Sequence, residues 1–291
     1  MSTEQSIRAL IQLIDDPDEQ VFEHVRDQLK SYGPFAIPYL EDSWNDDHFG
    51  LIFQSRIEQI IHEIQNEDVR SQLVNWYESS EKDLLEGAII VAKYQYAGLN
   101  EELIRQTIQA IKRDVWLEIN SRMTAYEQVK VLNKVIFGTH NFHGDSKHFH
   151  SPMNSYINTV IESRKGNPLS ISLIYSVVAQ SLEIPIYGVN LPNHFVLAYL
   201  DTHNLSRFLT DTTSNGVLFY INAFSKGSIL DKAAIHEFLD GLNLPHNREY
   251  FEPCSNSAII RRMLTNLITS FQHAGNAEKV NELVALRELL D

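Results

Sequence analysis

Apolar positions in the first 120 residues recur at helical spacing. Val21, Phe22, Val25 and Leu29 form one such stripe. Before it stands Asp16-Pro17-Asp18-Glu19. Asp16 suits a cap, Pro17 the first helical position, and Glu19 the positive end of the helix. Gly33-Pro34 stops this helix, and PFAIPYLEDSW follows with Pro38 inside a helical pattern. Further helices are predicted near 48–64, 67–79, 83–97 and 101–119. Thr124-Ala125-Tyr126-Glu127 matches a capping box and starts a helix that runs to about Phe137.

The texture then changes. GTHNFHGDSKHFHSPMN reads as a loop, followed by helices over 154–164 and 168–183. From Ile184 the period shifts towards strands in IPIYGVN, HFVLAYL, RFLT and VLFYI, with DTHNLS as a hairpin turn between two of them. DKAAIHEFLDG returns to helix, and two amphipathic helices, 255–274 and 276–290, close the sequence around Gly275. The stripe of Ile259, Ile260, Met263, Leu264, Leu267, Ile268 and Phe271 is the expected inner face of that pair. The expected fold class is α+β. It has an all-helical region at 1–120, a mixed core at 121–250 and a helical hairpin at 251–291, with the first boundary within 110–123.

Composition narrows the function. Lys plus Arg is 24 against 38 Asp plus Glu, a formal charge of −14. That field opposes nonspecific binding to nucleic acid or to an anionic membrane. The single cysteine, Cys254, rules out an intramolecular disulfide framework and fits a reducing cytoplasm. The first residues lack a signal-peptide pattern. The most apolar window, ISLIYSVVAQSLEIPIYGV, is broken by Gln180, Glu183 and Pro185, so it reads as buried helix and strand. No phosphate-binding glycine loop occurs, and no cofactor is expected.

The chemistry concentrates in RKGNPLSISLIYSVVAQSLEIPIYGVNLPNH, from Arg164 to His194. Asn167 can cap a helix whose first residue is Pro168. That helix is apolar nearly all round, so it belongs at the centre of a core. A helix N-terminus attracts negative charge and lowers the pKa of a thiol placed there. Papain-like cysteine enzymes use this layout, with a histidine on a facing strand.

Residues from about 124 to 225 resemble the transglutaminase-like superfamily, and within it the SirB-one-like subgroup. The blocks that carry the resemblance are NFHGD at 141–145, SPMNSYINTVIESRKGNPLSISLIY at 151–175, LEIPIYGVNLPNHFVLAY at 182–199 and FEPCSNSAIIRRMLTNLITSF at 251–271. The resemblance implies a papain-like core with a Cys–His–Asp site. His194 falls on the histidine and Asp211 on the aspartate that orients it. The cysteine slot falls on or near Pro168, which has no nucleophile, and the subgroup resembles this sequence in lacking that cysteine. TDTTSNG at 210–216 departs from the subgroup's Asp-Pro-Phe type sequence. The helix–turn–helix around Gly33-Pro34 also resembles one HEAT-type repeat.

Two functions are open at this level. One is a non-catalytic protein that binds a protein or peptide, using the helix end, Arg164, Asn167, His194 and Asn193 of the NLPNH loop to hold a backbone or carboxylate. The other is a serine-dependent hydrolase or acyl transferase built on Ser170, His194 and Asp211, which needs a base and an oxyanion hole to activate a weak nucleophile. The non-catalytic reading is preferred because the thiol is missing. Ser170 is read first as a core or helix-bonding residue. His140, His143, His148 and His150 lack a zinc-site spacing, so no metal is expected.

Overall fold

The computed structural model describes residues 3–44, 50–201 and 216–291. The chain forms two compact units, each described here by itself. One comprises residues 1–75 with 93–97, and the other residues 76–92 with 98–291.

The first unit is helical: α1 (Thr3–Ile11), α2 (Glu19–Ser31), α3 (Ile37–Trp44) and most of α4 (Leu51–Glu78). Its core joins Ile7, Phe22, Leu29, Leu40, Phe53 and Ile57, all close to fully buried. The cap of α2 is Asp18, whose Oδ1 accepts from the Gln20 N–H at 2.9 Å. Asp16, the expected cap, instead accepts from the Asp18 N–H at 2.8 Å, an Asx turn that leads the chain in. Pro38 sits in the first turn of α3, where a missing N–H costs nothing. The helices expected at 48–64 and 67–79 are one helix, α4. Gln65, Asn66, Glu67 and Asp68 include neither Gly nor Pro, so nothing interrupts the hydrogen-bond ladder.

The second unit is the mixed α+β part. Helices α5 (Leu84–Lys93), α6 (Glu101–Trp116) and α7 (Ala125–Asn133) lead into it. Thr124 makes the expected capping box with Glu127, and α7 ends in a π-helical turn, Lys134–Thr139. Next come β1 (His143–Gly144), α8 (Ile157–Ser163), β2 (Lys165–Gly166) and the central helix α9 (Pro168–Ser181). The meander β3 (Ile186–Val189), β4 (Val196–Leu200), β5 (Val217–Asn222) and β6 (Ser228–Leu230) follows as an antiparallel sheet in that order. The unit ends with α10 (Lys232–Gly241) and the pair α11 (Asn256–His273) and α12 (Ala277–Glu288).

The predicted stripe of α11 is buried from Ile259 to Phe271. Helix α9 is buried on almost every side, as its sequence requires. The strand RFLT, the turn before it and Asp211 fall within 202–215, outside the described residues. Two features were not predicted. One is β6. The other is the parallel ladder β1–β2, with His143 opposite Lys165 and Gly144 opposite Gly166; β1 lies in a stretch read as loop and β2 between two expected helices. A ladder two residues long shows no alternation, so it leaves no periodic trace. Gly166 lies so close to the first turn of α9 that a Cβ there would collide with Ser170 Oγ and crowd Ile171.

Ile174 is fully buried in α9. Replacing it with Ala should cost about 2–5 kcal/mol in urea unfolding, by lost burial and a residual cavity. The control Leu218→Ala, at a half-exposed strand position, should cost well under that.

Candidate functional site

The start of α9 is fixed by one residue. Asn167 takes an extended conformation, and its Oδ1 accepts from the Ser170 N–H at 2.9 Å. Its Nδ2 donates to Ser155 Oγ at 2.9 Å, and its own N–H to the Asn154 carbonyl at 3.2 Å. Upstream, Arg164 ends α8 in the left-handed region with φ 61°. The chain then passes through β2 into the cap. Pro168 has no N–H, and the Leu169 N–H has no partner among the described residues.

The facing wall is a turn. The His194 N–H donates to the Leu191 carbonyl at 3.3 Å, with Pro192 second and Asn193 third at φ 56°. Proline second and a positive φ third suit a type II turn. This turn carries His194 to the head of β4. The ring of His194 lies 5.9 Å from that of Phe238. Burial lowers its pKa below 6.5; a side-chain bond with Asn222 works the other way, and the Arg262 charge adds to the lowering. Asn222 Oδ1 also accepts from the Ser225 N–H at 3.2 Å, which holds that side chain in place.

Two cavities meet at this turn. The first, about 530 Å³, is lined by Asn167, Leu169, Asn193, His194, Arg262 and Asn266 among others. The second, about 450 Å³, is largely apolar, with Leu191, Val196, Phe224, Ile235 and Phe238 in its wall. Both are edged by Phe149, Pro168, Asn193 and His194.

Of the residues singled out from sequence, Asn167, Asn193 and His194 line the first cavity together with Pro168. Ser170 is 1% exposed, and its Oγ lies 2.7 Å from the Asn154 carbonyl and 3.2 Å from that of Asn167. Arg164 is not among the cavity-lining residues; its guanidinium stacks 4.8 Å over the Phe142 ring. Asp211 lies outside the described residues. The loop histidines have separate partners. His140 meets Asp114 at 2.9 Å, and His143 Nδ1 lies 3.0 Å from the Asn141 carbonyl. His148 pairs with Asp145 at 3.4 Å, and His150 packs 4.9 Å from the His273 ring.

The sequence reading missed Arg262. Its Nη1 donates to Asn190 Oδ1 at 2.9 Å and to the Leu191 carbonyl at 3.2 Å, and its Nε to Asn266 Oδ1 at 3.3 Å. A signal for it did exist. Arg262, Thr265, Asn266 and Thr269 recur at helical spacing beside the apolar stripe of α11, and all four line the first cavity. Cys254 is near this arginine, but burial raises its pKa from 9.0 to about 11.

The lowered His194 pKa has a consequence for stability. The folded state holds the ring neutral, whereas an unfolded chain protonates it near pH 6.5. This group is therefore neutral to stability above that pH and destabilises the fold as pH falls below it. An NMR titration should place the His194 midpoint below 6.5, and His194→Gln should lessen the loss of stability between about pH 6.5 and 5. Cys254, with its thiol pushed up to about 11, should react with iodoacetamide at pH 7.5 about a hundredfold more slowly than a thiol of pKa 9.

A curated UPF0162 protein from Xylella fastidiosa is 27% identical over 190 residues, covering 63% of this chain and 63% of the relative. A UPF0162 protein from Haemophilus influenzae is 25% identical over 172 residues, 56% of this chain and 62% of the relative. Mouse F-box only protein 21 is 26% identical over 179 residues, 61% of this chain and 27% of that protein. The chain thus spans less than two thirds of the length of each of these relatives. No solved structure matches it significantly. A transglutaminase-like superfamily profile matches residues 102–265, more than half of the chain, and takes in both the capped helix and the His194 turn. On that match the chain belongs to the transglutaminase-like superfamily.

Proposed function

We propose that this is a transglutaminase-like domain that works by binding a protein or peptide segment, not by covalent catalysis. The observation that carries the reading is the state of the helix end. Pro168 occupies the first position of α9, where the superfamily resemblance puts a thiol. The nearby hydroxyl, on Ser170, is buried and lies within hydrogen-bonding distance of two backbone carbonyls. A hydroxyl that donates its proton to a carbonyl is not delivering it to a base. The remaining thiol, Cys254, is held protonated by burial.

What remains is a capped helix end, a histidine turn and a pair of cavities of a size suited to a ligand. Within the superfamily we assign the chain to the SirB-one-like subgroup, with HEAT-like helices before the core and a cytoplasmic location. The net charge of −14 supports a partner other than nucleic acid or an anionic membrane. Among the described residues, no helix is long and apolar enough to cross a membrane.

The reading is tested with a fluorophosphonate probe on the purified protein. No stoichiometric labelling is expected. Labelling that disappears in Ser170→Ala would instead establish the serine-dependent alternative, with His194 as base and Asp211 as its orienter.

A further inference from the structure

The binding reading leaves the ligand's chemistry open, and the two cavities narrow it. Arg262 is the one fully charged side chain in the walls of either cavity among the described residues. Neither wall contains a described Asp or Glu, and no described carboxylate pairs with this arginine. Two of its nitrogens are fixed by Asn190, Leu191 and Asn266. Its Nη2 has no partner among the described residues. A half-buried guanidinium, held rigidly and with no counter-charge among the described residues, in a chain of net −14, is an anchor for an anion. Leu169, whose N–H at the start of α9 has no partner among the described residues, lines the same cavity.

The neighbouring cavity sets the rest of the ligand. Leu191, Val196, Leu230, Ile235 and Phe238 make an apolar pocket directly across the shared edge of Pro168, Asn193 and His194. A ligand that fills both therefore has an anionic head next to an apolar body. The polar cavity continues along Thr265, Asn266 and Thr269, which can pair with amide groups. The two threonine hydroxyls already donate to helix carbonyls and offer a ligand only acceptor lone pairs, while the Asn266 amide offers a donor; a peptide backbone, with both N–H and C=O, can use them, whereas an acyl chain cannot.

We infer that the site takes the C-terminus of a peptide, with the terminal carboxylate on Arg262 and an apolar last side chain in the pocket around Phe238. The last two residues of this sequence are not free occupants. Leu290 is fully buried, and Asp291 pairs with Arg261 at 3.3 Å. The inference rests on the binding reading above and can fail without it.

The test is fluorescence anisotropy on the full chain. The probes are fluorescein-labelled hexapeptides ending in Leu, Phe or Ala, each as the free acid and as the C-terminal amide. The Leu and Phe acids should bind saturably. Amidation, or Arg262→Met, should weaken them by about 30-fold or more, the loss expected when a desolvated charge pair is broken. Phe238→Ala should weaken the Leu and Phe peptides more than the Ala peptide. Thermal unfolding checks that the variants fold; if Arg262→Met does not, the acid and amide pair decides, since it needs no mutation.

Equal affinity of acid and amide would overturn the inference and leave a peptide-binding groove in place. A panel in which nothing binds would also overturn the inference, as would decanoate competing as well as the Leu peptide, which would point to an apolar acid as ligand. Mass spectrometry of the peptides after incubation separates the two levels. An intact peptide keeps the binding reading, and a cleaved or transferred one overturns it.

Discussion

The second unit depends on how the first turn of a buried helix is held. A helix begins with backbone N–H groups that have no intrahelical acceptor, and α9 begins inside the protein, where water cannot supply one. Asn167 answers this with its carbonyl oxygen on the Ser170 N–H and its amide on Ser155. Pro168 removes one donor outright. The loop before α8, the ladder β1–β2 and the left-handed Arg164 serve to deliver Asn167 to that place. Gly166 is required there because β2 passes too close to α9 for a side chain.

The same arrangement explains the state of the chemistry. In a cysteine enzyme of this layout, the helix end would stabilise a thiolate. Here Pro168 stands at the first position of that helix and Ser170 is drawn into the cap network. The positive helix end persists, because it comes from the backbone and not from any side chain. Arg262, from α11, brings a full charge to the cavity that Pro168 and Leu169 also line. The proposed binding role uses this polarity, since a helix end attracts negative charge whether or not a nucleophile stands there.

His194 fits this view. Burial and Arg262 both favour its neutral ring, and Asn222, not a described carboxylate, bonds it from the sheet. A neutral imidazole can donate or accept one hydrogen bond beside a ligand. Its position comes from the Pro192-Asn193 turn, whose two residues each suit their place in it.

Much of this was legible in the sequence, and the reason is local. The Thr124 capping box, the Asn167-Pro168 start of α9, the apolar surface of α9 and the stripe of α11 each arise from residues within a few positions of one another. Backbone propensity and periodicity express such features directly. What stayed hidden depended on distance along the chain or on very short pairing. The ladder β1–β2 joins residues about 22 apart with too few positions to alternate. The unbroken α4 carried polar residues that look like a cap but contain no breaker. Arg262 is far from His194 in sequence, and its stripe on α11 reads as a solvated helix face until the fold sets it against the turn. Sequence determined most of the helices, the strands β3 to β5, and that Pro168 opens the central helix. Tertiary structure alone decided which charge lines the cavity beside it, because an electrostatic partner is chosen by proximity in space and not by position along the chain.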